Sequence, residues 1–261
     1  HSEADSVLIC LDADCQVSTN YVSQLLRWQE ECPDQGTVTI PFEHILPTDH
    51  AHRQAIMTYE LFLRYYVGGL RSIANPYAHH SMGSAFATRS HTYLAVRGMV
   101  RRQAAEDFYF LDKVRKIAPI GTLVEARVYP SSRISERVIF GTGKTMLKAR
   151  DGDPLSDFYD LRSFPLMKSL RELLRLGGNE AALTALEARS GLKIGQYLGS
   201  RNWKKAKAQL FHEKDGQIVS KGRFDDWFDG LETFKLIHFI RDTLYPAQGA
   251  LEVLPSFARL L

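Results

Sequence analysis

The apolar positions follow two rhythms: short unbroken runs in the first half, and three-to-four-residue repeats that dominate the second. Val7-Leu8-Ile9-Cys10-Leu11 is an unbroken run, the pattern of a parallel strand buried on both faces. It ends in Asp12 and Asp14, and Ser18-Thr19-Asn20 then offers caps for a helix carrying Tyr21, Leu25, Leu26 and Trp28. Gly36-Thr37-Val38-Thr39-Ile40-Pro41 reads as the next strand and completes a βαβ unit. Residues 50–67 bring Ile56, Tyr59, Leu63 and Val67 near one helical face. Ser84-Ala85-Phe86-Ala87-Thr88 reads as a strand, followed by a short helix over 90–96 that stops at Gly98. Residues 104–116 predict a helix with an acidic first turn, a basic last turn, and Phe108, Leu111 and Val114 at helical spacing. Residues 123–129 resemble a strand closed by Pro130, and Met82, Met99, Phe108 and Phe110 are most simply core. Beyond about residue 150 strand signals are few, and helices are predicted over 166–176, 180–189 and 227–244. The expectation is an α/β domain over 1–150, its mostly parallel sheet flanked by helices, and a mainly helical appendage or subdomain over 151–261.

Composition narrows this picture only a little. At 261 residues, 44% apolar and 24% charged, the chain suits one large domain or two small ones. No apolar run approaches the ~20 residues that cross a bilayer, and His1-Ser2-Glu3-Ala4-Asp5 is not a recognisable leader. Cys10, Cys15 and Cys32 lack metal-type spacing and read as free thiols of a reducing, cytoplasmic compartment. A net charge of +3 is too small to announce nucleic acid as a partner.

Two acidic pairs carry the candidate chemistry. Asp12 and Asp14 leave the end of a strand, where open α/β sheets bind ligands. Carboxylates one residue apart on such a turn can share Mg²⁺ or Mn²⁺, which also holds diphosphate oxygens; the plainer reading is a turn or helix cap. Glu106 and Asp107 open the helix over 104–116, whose dipole and free N–H groups favour the ionised carboxylate that a general base requires. Their plainer reading is a solvated first-turn pair. Arg133 and Arg137, followed by Phe140-Gly141-Thr142-Gly143-Lys144, form a basic loop suited to phosphate oxygens, without P-loop spacing. His79-His80 lacks metal-ligand spacing, and Trp203, Lys204, Lys205 and Lys207 read as a solvated basic helix face.

Taken in order, Leu8-Ile9-Cys10-Leu11-Asp12-Ala13-Asp14-Cys15, Gly83-Ser84-Ala85-Phe86-Ala87-Thr88-Arg89 with Tyr93 and Gly98, and Ala105-Glu106-Asp107-Phe108-Tyr109-Phe110-Leu111 resemble the family 2 inverting glycosyltransferases of GT-A fold. Pro130-Ser131-Ser132-Arg133 and Phe140-Gly141-Thr142-Gly143 resemble a bacterial subgroup, and the similarity covers about residues 5–145. The resemblance implies that Asp12 and Asp14 hold the metal and a nucleotide-diphosphate sugar, with Arg133 and Arg137 adding charge at the leaving group. It implies Asp107 as catalytic base, Glu106 as its orienting neighbour, and Gly83 and Ser84 on the acceptor side. The acceptor would be a saccharide or lipid-linked hydroxyl of the cell envelope, reached without a transmembrane segment and compatible with peripheral membrane association. The Q-x-x-R-W motif of processive members is missing.

Family members place two or three strand–helix units of roughly 30 residues each before D-x-D, so the chain is expected to be a fragment with an exposed apolar sheet edge. Two other readings compete. A haloacid-dehalogenase-like phosphatase would use Asp12 as nucleophile and Asp14 as acid, but Cys15-Gln16 departs from its motif, and Asp151-Gly152-Asp153 follows a basic loop instead of an apolar run. A non-catalytic glycosyltransferase-like module would bind a partner through its helical part.

Overall fold

The computed structural model describes residues 6–102, 104–134, 145–147, 158–214 and 217–257. The protein is α/β, and it divides into two compact units, one of His1–Arg64 with His79–Leu155 and one of Tyr65–Ala78 with Ser156–Leu261.

The first unit is built on a four-stranded sheet with β1 (Val7–Cys10), β3 (Thr37–Thr39), β4 (Phe86–Arg89) and β5 (Ile120–Thr122) in the order β1-β4-β3-β5. A two-residue strand β2 (Gln16–Val17) pairs with β6 (Val128–Tyr129). Strand β4 alternates between the two faces, as the period of 2 requires. Ala87 faces a cluster with Tyr21, Leu25 and Trp28 of α1 (Tyr21–Glu31). Phe86 faces Phe110, Leu111 and Val114 of α4 (Glu106–Ile117), and stacks on Phe110 at 5.4 Å. With both faces covered, all four β4 residues are buried. The other helices of this half are α2 (His50–Ser72) and α3 (Ser90–Ala95). After α3 the chain turns at Gly98, whose φ of 67° favours glycine.

Several expectations change here. The sheet is mixed: β4 runs antiparallel to both β1 and β3, and β3–β5 is parallel. Strands β1 and β3 do run the same way around α1, so the βαβ unit exists with β4 inserted between its strands. β1 is not buried on both faces: it is an edge strand with Leu8 39% and Ile9 46% exposed, in keeping with the exposed apolar sheet edge that was expected. An apolar run records a need for apolar neighbours, and it says nothing about their direction or presence. Of residues 123–129 only Val128–Tyr129 is strand, because a turn at Leu123–Ala126 interrupts the run. Asn20 sits at the N-cap of α1 without capping it: its amide donates instead to the Glu125 carbonyl at 2.8 Å.

The second unit contains α5 (Ser163–Arg175), α6 (Glu180–Ser190), α7 (Ile194–Ser200), α8 (Trp203–Leu210), a hairpin of β7 (Phe211–Lys214) and β8 (Gln217–Ser220), the single turn α9 (Phe224–Trp227), α10 (Gly230–Thr243) and α11 (Ala250–Phe257). Its core gathers on Tyr65, which packs on Phe158, Phe164 and Phe257 at 5.3, 5.8 and 4.8 Å. The hairpin escapes sequence patterning because most of its positions are polar and exposed.

Candidate functional site

The site starts at the carboxyl end of β1, where the Cys15 N–H donates to the Asp12 carbonyl at 3.0 Å and closes a four-residue turn. That turn gathers one ligand atom each from Asp12, Asp14 and Cys15 within 4.8 Å of one another. Donors about 2.0–2.6 Å from a shared ion are separated by comparable distances, so the spacing is compatible with one divalent cation. The two carboxylates form the hard part of the set. Burial first, and then the charges of Asp12 and Asp14, push the Cys15 thiol up, so it stays protonated near neutrality and is a weak ligand.

The second acidic pair arrives at the head of α4. Ala105 precedes it with φ 62°, a left-handed conformation uncommon for a residue with a Cβ. The Phe108 N–H donates to Asp107 Oδ1 at 2.7 Å. Burial nevertheless pushes the Asp107 carboxyl up to about 6, and the charges of Glu106 and Asp12 add to the shift. The helix N-terminus thus opposes the shift without cancelling it: losing water costs the carboxylate more than its amide bonds return. Asp12 is likewise raised, by burial first and then by Asp14 and Glu106, with Arg133 opposing. Cys10 is pushed up to about 11 by burial and by Asp12, Asp107 and Glu106. These mutual fields put both acidic pairs in one electrostatic neighbourhood.

Gly83 and Ser84 lie between the two pairs. A Cβ on Gly83 would come 3.3 Å from Asp107 Oδ2, so glycine keeps space open beside that carboxylate. Ser84 is buried, and its hydroxyl bonds to the Cys15 thiol. Arg133 Nε pairs with Asp14 Oδ2 at 3.0 Å. The segment carrying Arg133 is held by a bridge between Ile45 and Ser131 and by a hydrogen bond of 2.7 Å between His52 Nε2 and the Ser132 carbonyl. Arg137, the Gly141-Thr142-Gly143 turn and Asp151-Gly152-Asp153 lie outside the described residues.

Other motif residues have structural roles. Arg89 is buried and donates to the Gln35, Gln29 and Cys32 carbonyls, tying down the carboxyl end of α1. The His80 ring meets Phe42 edge-on at 5.3 Å, and neither His79 nor His80 joins a metal-capable cluster among the described residues. Phe110 is fully buried, whereas Phe108 is only half-buried. Sequence reasoning missed Cys15 as a member of the site, although its position directly after Asp14 was a signal. It also took Tyr21 as helix core only; its buried hydroxyl has no hydrogen-bond partner among the described residues and lies in the field of Cys10 and Cys15.

No protein-family model, curated protein or solved structure matches the chain.

Proposed function

We propose that the chain is a metal-dependent inverting glycosyltransferase of the family 2, GT-A type, which moves a sugar from a nucleotide-diphosphate sugar to an acceptor hydroxyl. The observation carrying this reading is the convergence of Asp12-Ala13-Asp14 and Glu106-Asp107, more than ninety positions apart, around Gly83-Ser84. Asp12 and Asp14 would hold Mg²⁺ or Mn²⁺, which when bound supplies positive charge to the diphosphate leaving group.

Asp107 accepts the proton of the acceptor hydroxyl while that oxygen attacks the anomeric carbon. The bond from that carbon to the diphosphate oxygen breaks, the configuration inverts, and the proton remains on Asp107. A carboxyl group near 6 suits this work, since it is mostly ionised at neutral pH yet basic enough to take the proton. Gly83 leaves room for the hydroxyl beside Asp107, and Arg133 can exchange its bond with Asp14 for phosphate oxygens. The acceptor class is a saccharide or lipid-linked hydroxyl.

The test pairs two variants with calorimetric binding of a panel of nucleotide sugars in Mn²⁺. Asp107→Asn should lower transfer by roughly 10²–10⁴-fold with donor affinity nearly unchanged. Asp14→Asn should instead weaken metal-dependent donor binding. Equal loss of binding and turnover in Asp107→Asn would remove it as base, and no metal-dependent binding of any nucleotide sugar would sink the reading.

A further inference from the structure

The second unit carries a feature that sugar transfer does not use. Residues 193–223 hold eight lysines and arginines against two carboxylates, in a chain whose net charge is only +3. Helix α8 buries Trp203, Ala206 and Leu210 and turns Lys204 and Lys205 outward. It runs directly into β7, and the Lys221 N–H returns to the Leu210 carbonyl at 2.8 Å, so helix and hairpin form one continuous surface. Arg201 and Arg223 pair with Glu232 and Asp226. Lys204, Lys205, Lys214 and Lys221 are exposed and have no carboxylate partner among the described residues.

Apolar side chains stand exposed at two places around the hairpin. Leu176, at the end of α5, is 75% exposed, Ile218 47% and Val219 38%. Ile218 stands on the hairpin face that also bears Glu213, next to the turn that follows Leu176. Ile218 lies so close to Gly177 that a Cβ there would be 2.6 Å from its Cγ2, and Lys207 Nζ donates to the Gly178 carbonyl at 3.2 Å. Val219 pairs across the hairpin with His212, placing it on the strand face that also bears Lys214.

We infer that α8 and the β7–β8 hairpin form a docking face for an anionic lipid surface. Lysines without a carboxylate partner among the described residues provide attraction to acidic headgroups, and Val219, on the strand face of Lys214, provides an apolar group that enters the interface. A single-stranded nucleic acid fits less well, because stacking needs open aromatic faces and Trp203, Phe211 and Phe224 are buried. The face serves attachment, and it stands or falls independently of the reaction proposed above.

The experiment is flotation of the full chain with phosphatidylcholine vesicles containing about one third phosphatidylglycerol, at low and raised salt. Binding should need the acidic lipid and weaken with salt. Replacing Lys204, Lys205, Lys214 and Lys221 by Gln should lower partitioning about fivefold per lysine. Val219→Ser should remove the part that survives raised salt. Circular dichroism separates lost binding from lost fold, all five positions being exposed. Equal binding to pure phosphatidylcholine, unchanged partitioning of either variant, or displacement from vesicles by a single-stranded oligonucleotide that binds more tightly would each overturn the inference.

Discussion

Asp107 is where burial and chemistry meet at the scale of one residue. Its carboxyl is pushed from 3.8 up to about 6, foremost by loss of water. The base must be ionised to accept a proton, so transfer should hold above pH 6 and fall about tenfold per unit below it. A kcat/KM profile flat down to pH 4.5 would remove Asp107 from that role. The same shift bears on stability. A carboxyl with a raised folded-state pKa contributes stability below its unfolded value, and that contribution is lost as pH rises through about 6. Near neutrality ionised Asp107 is thus a net cost. Asp107→Asn should raise thermal stability there by on the order of 2 kcal/mol while lowering transfer by roughly 10²–10⁴-fold.

At the scale of elements, α2 is tied to the chain following β3 by one buried carboxylate. Glu60 accepts from the His44 N–H and from Arg64, and lies 2.7 Å from His44 Nδ1, while Arg64 also donates to the Phe42 carbonyl at 2.8 Å. Burial alone would raise Glu60, but the His44 and Arg64 bonds outweigh it and hold the carboxyl at about 2, below its ordinary 4.5. The sign is opposite to that of Asp107: this stability is present above pH 4.5 and is lost as pH falls toward 2. The tied segment also meets the chain before Arg133, through Glu43 N–H to the Val128 carbonyl at 2.9 Å and the Ile45–Ser131 bridge. Glu60→Gln should cost on the order of 3 kcal/mol, read as a lower urea midpoint, and should flatten the acid limb of stability. An unchanged midpoint would show the network to be incidental.

For the molecule as a whole, the open flank of β1 is the principal liability. Val7, Ile9, Val22, Leu25 and Leu26 line a groove between β1 and α1, and Leu8 and Leu11 are also exposed. An unpaired strand edge beside apolar side chains invites pairing with another chain. Ile9→Lys with Leu26→Glu should therefore reduce concentration-dependent light scattering without changing the circular dichroism spectrum. Scattering that persists unchanged would place the association elsewhere. Among the described residues no helix is long and apolar enough to cross a membrane.

The α/β character, the helices over α1, α2, α4, α6 and α10, and the acidic motifs were legible because they rest on local periodicity and local chemistry. Phe108, Leu111 and Val114 announce α4 wherever the chain folds, and Asp12-Ala13-Asp14 announces a turn. Strand direction and the insertion of β4 between β1 and β3 were not legible, since each depends on which distant segment becomes the neighbour. The same holds for the candidate site. The aspartates and their neighbour Cys15 could be named from the sequence, but Gly83 against Asp107 and Arg133 on Asp14 appear only once distant segments meet. Asp107 makes the contrast plainest. Its position was visible in the sequence, but its proton affinity was not, because burial is a property of the packed chain and here outweighs the helix terminus that the sequence shows.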